Sequence, residues 1–153
     1  MNGGPWRRFG RGLVILVVCV GLSACREVRV NEFRTGTTTI PGSNQVIVVS
    51  DPHEIALIGI PAPEVNFKHE FGVALLMGPH HETGCRQVIE SIRANGERVR
   101  ILAYERAPAD GGEPALDYRT YTLWIVPRSV YHPGSVVEVV TPSGEPVAST
   151  VLR

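Results

Sequence analysis

The chain has 153 residues, with 15 basic and 15 acidic side chains. That length suits one domain plus tails rather than two independently cored domains, and the balanced charge excludes the strong positive field of a nucleic-acid-binding protein. The balance hides an asymmetry, because residues 1–24 carry Arg7, Arg8 and Arg11, no acid, and then the apolar run Leu13–Val20.

A basic start, a short apolar core and small residues before a cleavage point are the parts of a secretory signal, predicted over residues 1–24. The stretch Leu13–Ala24 is 12 residues long, whereas a helix needs about 20 to span a bilayer, so a transmembrane anchor is the weaker reading. The sequence "LSAC", Leu22–Cys25, resembles the lipobox of bacterial lipoproteins. That resemblance implies cleavage before Cys25, whose thiol then carries a diacylglycerol and whose amine carries a further acyl chain. Each buried methylene contributes about 0.8 kcal/mol, and two chains suffice for stable anchoring. The alternative is an ordinary secretory signal with an incidental cysteine. Arg26 rather than an aspartate follows Cys25, which by the same resemblance implies the outer membrane, facing the periplasm or the surface. Cys19 leaves with the signal and Cys25 is acylated, so Cys85 remains alone and no intramolecular disulfide is expected. Loss of three arginines leaves 12 basic against 15 acidic residues, a mildly acidic envelope protein.

Residues 25–44 are polar and threonine-rich after the cysteine, which predicts a flexible tether, although Val28, Val30 and Phe33 could form a first strand. The domain is expected over residues 45–153. Its apolar runs, "VIVVS", "FGVALLMG", "VRILAYE", "YTLWIVP", "VVEVV" and "VASTVL", are short, rich in β-branched residues and bounded by Gly, Pro, Asn and Asp, the signature of strands. Asn95-Gly96 predicts a two-residue hairpin turn that opposes Ile92 to Val99, Val88 to Ala103, and Arg93 to Arg98 on an exposed face. Asp51 and Pro52 could cap and open a short helix in "DPHEIALIG", with a strand nearly as favourable there. "TPSGEPV" reads as a turn returning the last strand against "VVEVV". Tyr121, Leu123 and Ile125 share one strand face and suit the core; Trp124 faces the other way and is an interfacial candidate. The fold class predicted is mainly β, a single antiparallel β-sandwich or barrel-like domain.

The segments "PEVNFKHEFGVALLMG", "TGCRQVIESI", "VRILAYERAP" and "YRTYTLWIVP" resemble, in that order, the PrcB-like domain of envelope lipoproteins that associate with and stabilise a protease. The resemblance covers residues 45–128. Asn66 stands where the family tends to have aspartate, and Cys85-Arg86 where it tends to have glycine and an aromatic; Thr83 and Gly84 match its threonine-glycine loop. What it implies is a noncatalytic binding or stabilising subunit without a cofactor, with a secreted protease as partner.

The residue types in "MGPHHETGC", Met77–Cys85, suit other chemistry as well. Zinc accepts His, Glu and Cys donors, but adjacent strand residues point to opposite faces, so His80 and His81 do not chelate together without a sharp bend. A Cys85 nucleophile would need His80 or His81 as its base, with Glu82 or Glu70 to orient it. Glu105, Asp110, Glu113 and Asp117 lack the ligand spacing of a calcium loop. The favoured reading is a glycine-bounded connection ending one strand at Gly78-Pro79 and starting the next at Gly84. Two loops, one with His80, His81, Glu82, Thr83, Gly84 and Arg86 and the other spanning Pro108–Tyr118 with Asp110, Asp117 and Tyr118, are the candidate partner contacts. No catalytic set and no metal ligands are assigned. A thiol- or zinc-dependent enzyme centred on Cys85, or a structural lipoprotein without a defined partner, are the rival functions.

Overall fold

The computed structural model describes residues 26–28, 32–61 and 63–153; the signal segment and Cys25 lie outside the described residues. Along the chain come β1 (Arg26–Glu27), β2 (Glu32–Thr38), β3 (Gln45–Val49), α1 (Pro52–Leu57), β4 (Glu70–Glu82), β5 (Arg86–Ala94), β6 (Arg98–Arg106), β7 (Pro114–Pro127), β8 (Val136–Val140) and β9 (Pro146–Val151). They form a five-stranded sheet in the order β1-β5-β6-β8-β9 and a four-stranded sheet in the order β2-β7-β4-β3. The mainly β sandwich is therefore as the sequence predicts, with one parallel pair, β6 with β8, among antiparallel neighbours. The parallel pair arises because β7 crosses to the other sheet before the chain returns.

The run Phe71–Met77 in β4 is buried at every residue rather than at alternate ones, which requires cover on both faces. Phe71, Val73, Leu75 and Met77 meet Trp124, Ile101 and Val139 between the two sheets. Ala74 and Leu76 share the opposite face with Tyr121, Leu123 and Ile125, beneath Ile55, Ile58 and Ile60 of the α1 region. The short helix thus acts as a third layer. It starts where Asp51 Oδ1 accepts the His53 and Glu54 amides at 2.8 and 3.1 Å, satisfying two otherwise unpaired donors.

Trp124 is fully buried between the sheets, so it is a core residue and not an interfacial one. Tyr131 lies against Phe71 with ring centroids 5.5 Å apart. Burial pushes its phenol up to about 12, with the neighbouring Trp124 side chain opposing that shift.

Two further expectations change. The segment read as a tether carries β1 and β2: Arg26 stands opposite Ala94, and β2 pairs with β7 over its whole length. Backbone pairing at both sheet edges supplies order that the polar composition of this segment does not advertise. The hairpin exists, but Asn95 pairs with Arg98 through its backbone N–H, and Gly96 at φ +86° turns the tip. Ile92 therefore opposes Ile101, Arg93 opposes Arg100, and Ala94 opposes Val99. The shift is two residues, so Ile92 and Arg93 keep their expected faces, whereas Val88 moves to the opposite face, beside Tyr104. A bulge at Glu90 then pairs Ile89, not Val88, with Ala103.

Candidate functional site

β4 does not end at Gly78-Pro79. It runs on to Glu82, pairing His80 with Tyr118 and Glu82 with Pro114 through two irregularities of register; a bulge accommodates a proline that has no N–H for the ladder. β7 likewise begins at Pro114, inside the segment read as a loop. This ribbon continues past Arg119, where pairing with β2 stops, and past Leu76, where pairing with β3 stops.

The true connections are short. Thr83 and Gly84 turn the chain from β4 into β5, with Gly84 at φ +93°, a backbone state that favours glycine. The loop after β6 docks on that turn by a reciprocal pair: the Thr83 amide donates to the Glu113 carbonyl at 2.9 Å, and the Glu113 amide donates to Thr83 Oγ1 at 3.1 Å. A Cβ on Gly112 would lie 2.2 Å from the Thr83 carbonyl oxygen, so the close approach requires a glycine there.

His80 and His81 point to opposite sides of the ribbon, as their alternation requires. His80 Nε2 lies 2.7 Å from Glu105 Oε1, with both side chains largely buried; His81 Nδ1 lies 2.8 Å from Asp117 Oδ1, with both largely exposed. An ionised carboxylate only accepts, so the His80 Nε2–H donates to Glu105. Thr120 Oγ1 donates to the same oxygen at 2.5 Å and accepts from Gln87 Nε2 at 3.0 Å. Tyr118 stacks obliquely on His80 at 5.4 Å between centroids, donates to the Glu82 carbonyl at 2.6 Å and accepts the Cys85 amide at 3.3 Å. Its phenol is raised, chiefly by desolvation, with the Cys85 amide opposing that shift.

His80, His81, Glu82, Thr83, Gly84, Asp117 and Tyr118 thus form one braced platform at one end of the sandwich. Arg86 adjoins it at the start of β5, exposed on the outer face of the five-stranded sheet. Asp110 is exposed in the turn after β6. Cys85 is a half-buried free thiol, and the ring nitrogens nearest it in sequence are engaged with Glu105 and Asp117. Among the described residues, no group of three or more His, Cys, Asp or Glu donors converges on a point where a metal ion could sit.

Five contributing residues escape sequence reading in these roles. Leu116, on the platform beside Asp117, is 90% exposed. Glu105 meets His80, Thr120 meets Glu105 and Gln87 meets Thr120 only through the sheet packing. Arg119, 1% exposed, donates to the Ser43 carbonyl and, with the Gln45 amide oriented oxygen-inward, to Gln45 at 3.1 and 3.2 Å. Burial lowers its pKa, and its guanidinium ties the segment before β3 to the base of the ribbon. A chain sequence shows no local sign of such a group beyond an arginine followed by an apolar run.

No protein-family model, curated protein or solved structure is significantly similar to this chain.

Proposed function

We propose that the protein is a lipid-anchored envelope lipoprotein, attached through acylated Cys25, whose β domain is a noncatalytic protein-binding module of PrcB-like type that holds and modulates a secreted protease. The observation that carries the binding reading is Leu116: a large apolar side chain, 90% exposed, on a ribbon that side-chain and backbone hydrogen bonds hold in shape. Fully burying such a side chain contributes about 1.5–3 kcal/mol, and a braced ribbon loses little entropy on docking. Around Leu116 stand His81, Glu82, Glu113 and Asp117, polar groups suited to the rim of a contact. Residues 80–84 of one predicted partner loop and Asp117 and Tyr118 of the other belong to this one surface.

Cross-linking of the full chain in its native membrane, followed by recovery and identification of what is bound, tests the reading. Repeated recovery of one secreted peptidase is expected, falling at least about tenfold for Leu116→Asp. Equal recovery with both chains, or recovery of no defined protein, contradicts it. The mass of the N-terminal peptide, with or without acyl chains on Cys25, checks the anchor separately.

A further inference from the structure

We infer that the outer face of the five-stranded sheet docks on an anionic phospholipid bilayer, so that the domain lies along the membrane instead of standing on its anchor; the inference rests on the lipid-anchor reading of Cys25. Five arginines line this face, Arg86 and Arg93 on β5 and Arg98, Arg100 and Arg106 on β6, all exposed. The register opposes Arg86 to Arg106 and Arg93 to Arg100 directly. Like charges opposed across strands destabilise a sheet, and such a departure from local consistency marks a surface that serves something other than folding.

The carboxylates near them do not neutralise the face. Glu138 lies 3.8 Å from both Arg98 and Arg100, and Glu90 is exposed at the bulge. On β5, β6 and β8 that leaves five arginines against two carboxylates, in a mature chain where acids outnumber bases. Between the arginine pairs stand Val88, Tyr104 and Leu102, half-buried, a mixture of cation, aromatic and aliphatic groups suited to the headgroup zone. A depression of about 280 Å³ lies among Ser91, Arg93, Arg100, Leu102 and Thr141, where two guanidinium groups and two hydroxyls could take one phosphate.

The described chain starts at this sheet: Arg26, the residue after Cys25 in sequence, opposes Ala94 at its β5 edge, near the hairpin tip. Arg98 and Arg106 are separated by about 26 Å along β6, at 3.3 Å per residue, while a charge is screened beyond about 8 Å at physiological ionic strength. A domain standing on the hairpin end would bring Arg98 and at most the Arg93–Arg100 pair within reach of the headgroups, leaving Arg86 and Arg106 outside. Lying flat brings all five.

The test is a per-arginine footprint. Mature protein purified from membranes is reconstituted into vesicles of phosphatidylcholine alone, or of phosphatidylcholine with phosphatidylglycerol, and modified with phenylglyoxal, each site being read by mass spectrometry. On the anionic vesicles Arg86, Arg93, Arg98, Arg100 and Arg106 should react about fivefold more slowly, matching the stabilisation of one arginine at an anionic surface, and high salt should restore the rates. Arg34 and Arg128, on the four-stranded side, should not change. Equal rates on both vesicles, or protection confined to Arg93, Arg98 and Arg100 with Arg86 and Arg106 unchanged, overturns the inference. The acyl mass on Cys25 is read in the same digest. If it is absent the anchor reading fails, and the footprint is then taken on soluble protein mixed with the same vesicles.

Discussion

Replacing Glu105 by alanine should destabilise the domain far more than replacing Asp117, although each carboxylate partners one histidine of the same dipeptide. Glu105 accepts from His80 at 2.7 Å and from Thr120 at 2.5 Å, and the side chains of the His80–Glu105 pair are 16% and 19% exposed. A hydrogen bond to a charged group contributes about 1.5–3 kcal/mol, and a buried donor left unpaired costs about 1–3 kcal/mol. Thr120 is 2% exposed, and its remaining acceptor, the Met77 carbonyl, is 3.5 Å away, so little is recovered. The sum, allowing for relaxation, is about 2–3 kcal/mol, or a fall in Tm of about 6–12 °C for a domain of this size. The His81–Asp117 side chains are 70% and 72% exposed, and exposed pairs contribute little; Asp117→Ala should shift Tm by no more than about 2 °C. Calorimetry of both variants in one buffer decides the matter. Glu105→Gln, which keeps one accepting oxygen, should fall between wild type and Glu105→Ala. Equal shifts for Glu105→Ala and Asp117→Ala, or no loss with Glu105→Ala, would refute the claim that the buried branch of the network braces the ribbon.

Tyr131 gives a pH signature. Its phenol is raised to about 12 by burial, against about 10 in an unfolded chain; the unfolded state therefore releases its proton first, and stability present below pH 10 is lost as pH rises toward 12. The difference corresponds to about 3 kcal/mol, and Tyr131→Phe should remove that slope in alkaline denaturant titrations, whereas an unchanged slope assigns it to other groups. Gly112→Ala should lift the loop after β6 from the Thr83 turn, because its Cβ would meet the Thr83 carbonyl oxygen at 2.2 Å; faster hydrogen exchange at the Thr83 and Glu113 amides with unchanged exchange in β4 at Val73 is the expected pattern. Cys85→Ser should leave partner recovery unchanged within about twofold, since a serine fits the half-buried site; complete loss of function in that variant would instead favour the thiol-centred reading.

The parts of the fold legible in the sequence are those fixed by neighbours along the chain. The Asp51-Pro52 start of α1, the hairpin around Gly96 and the turn at Gly144 all depend on a few adjacent residues. Burial on both faces of β4 was legible only as an unbroken apolar run, because what covers each face comes from distant segments. The register of β5 with β6 slipped by two because "Asn-Gly" permits either residue to lead the turn, and the hydrophobic pattern is unchanged by an even shift. For the platform, the candidate residues were visible by type, but their union was not. His80 meets Glu105 across 25 positions and Thr83 meets Glu113 across 30, distances over which spacing carries no information. Leu116 has no signal in the sequence, because one leucine in an acidic, glycine-rich stretch gives no periodicity.

The most direct test of the binding account is site-specific photo-cross-linking in intact membranes from position 116, with position 57 as the control. Leu57 on α1 is also an exposed apolar residue, at 63% against 90% for Leu116, but it lies on the helix layer away from the platform. The account predicts a discrete cross-linked product from position 116, containing one envelope protein, and none from position 57. The same product from both positions, or from neither, would contradict it.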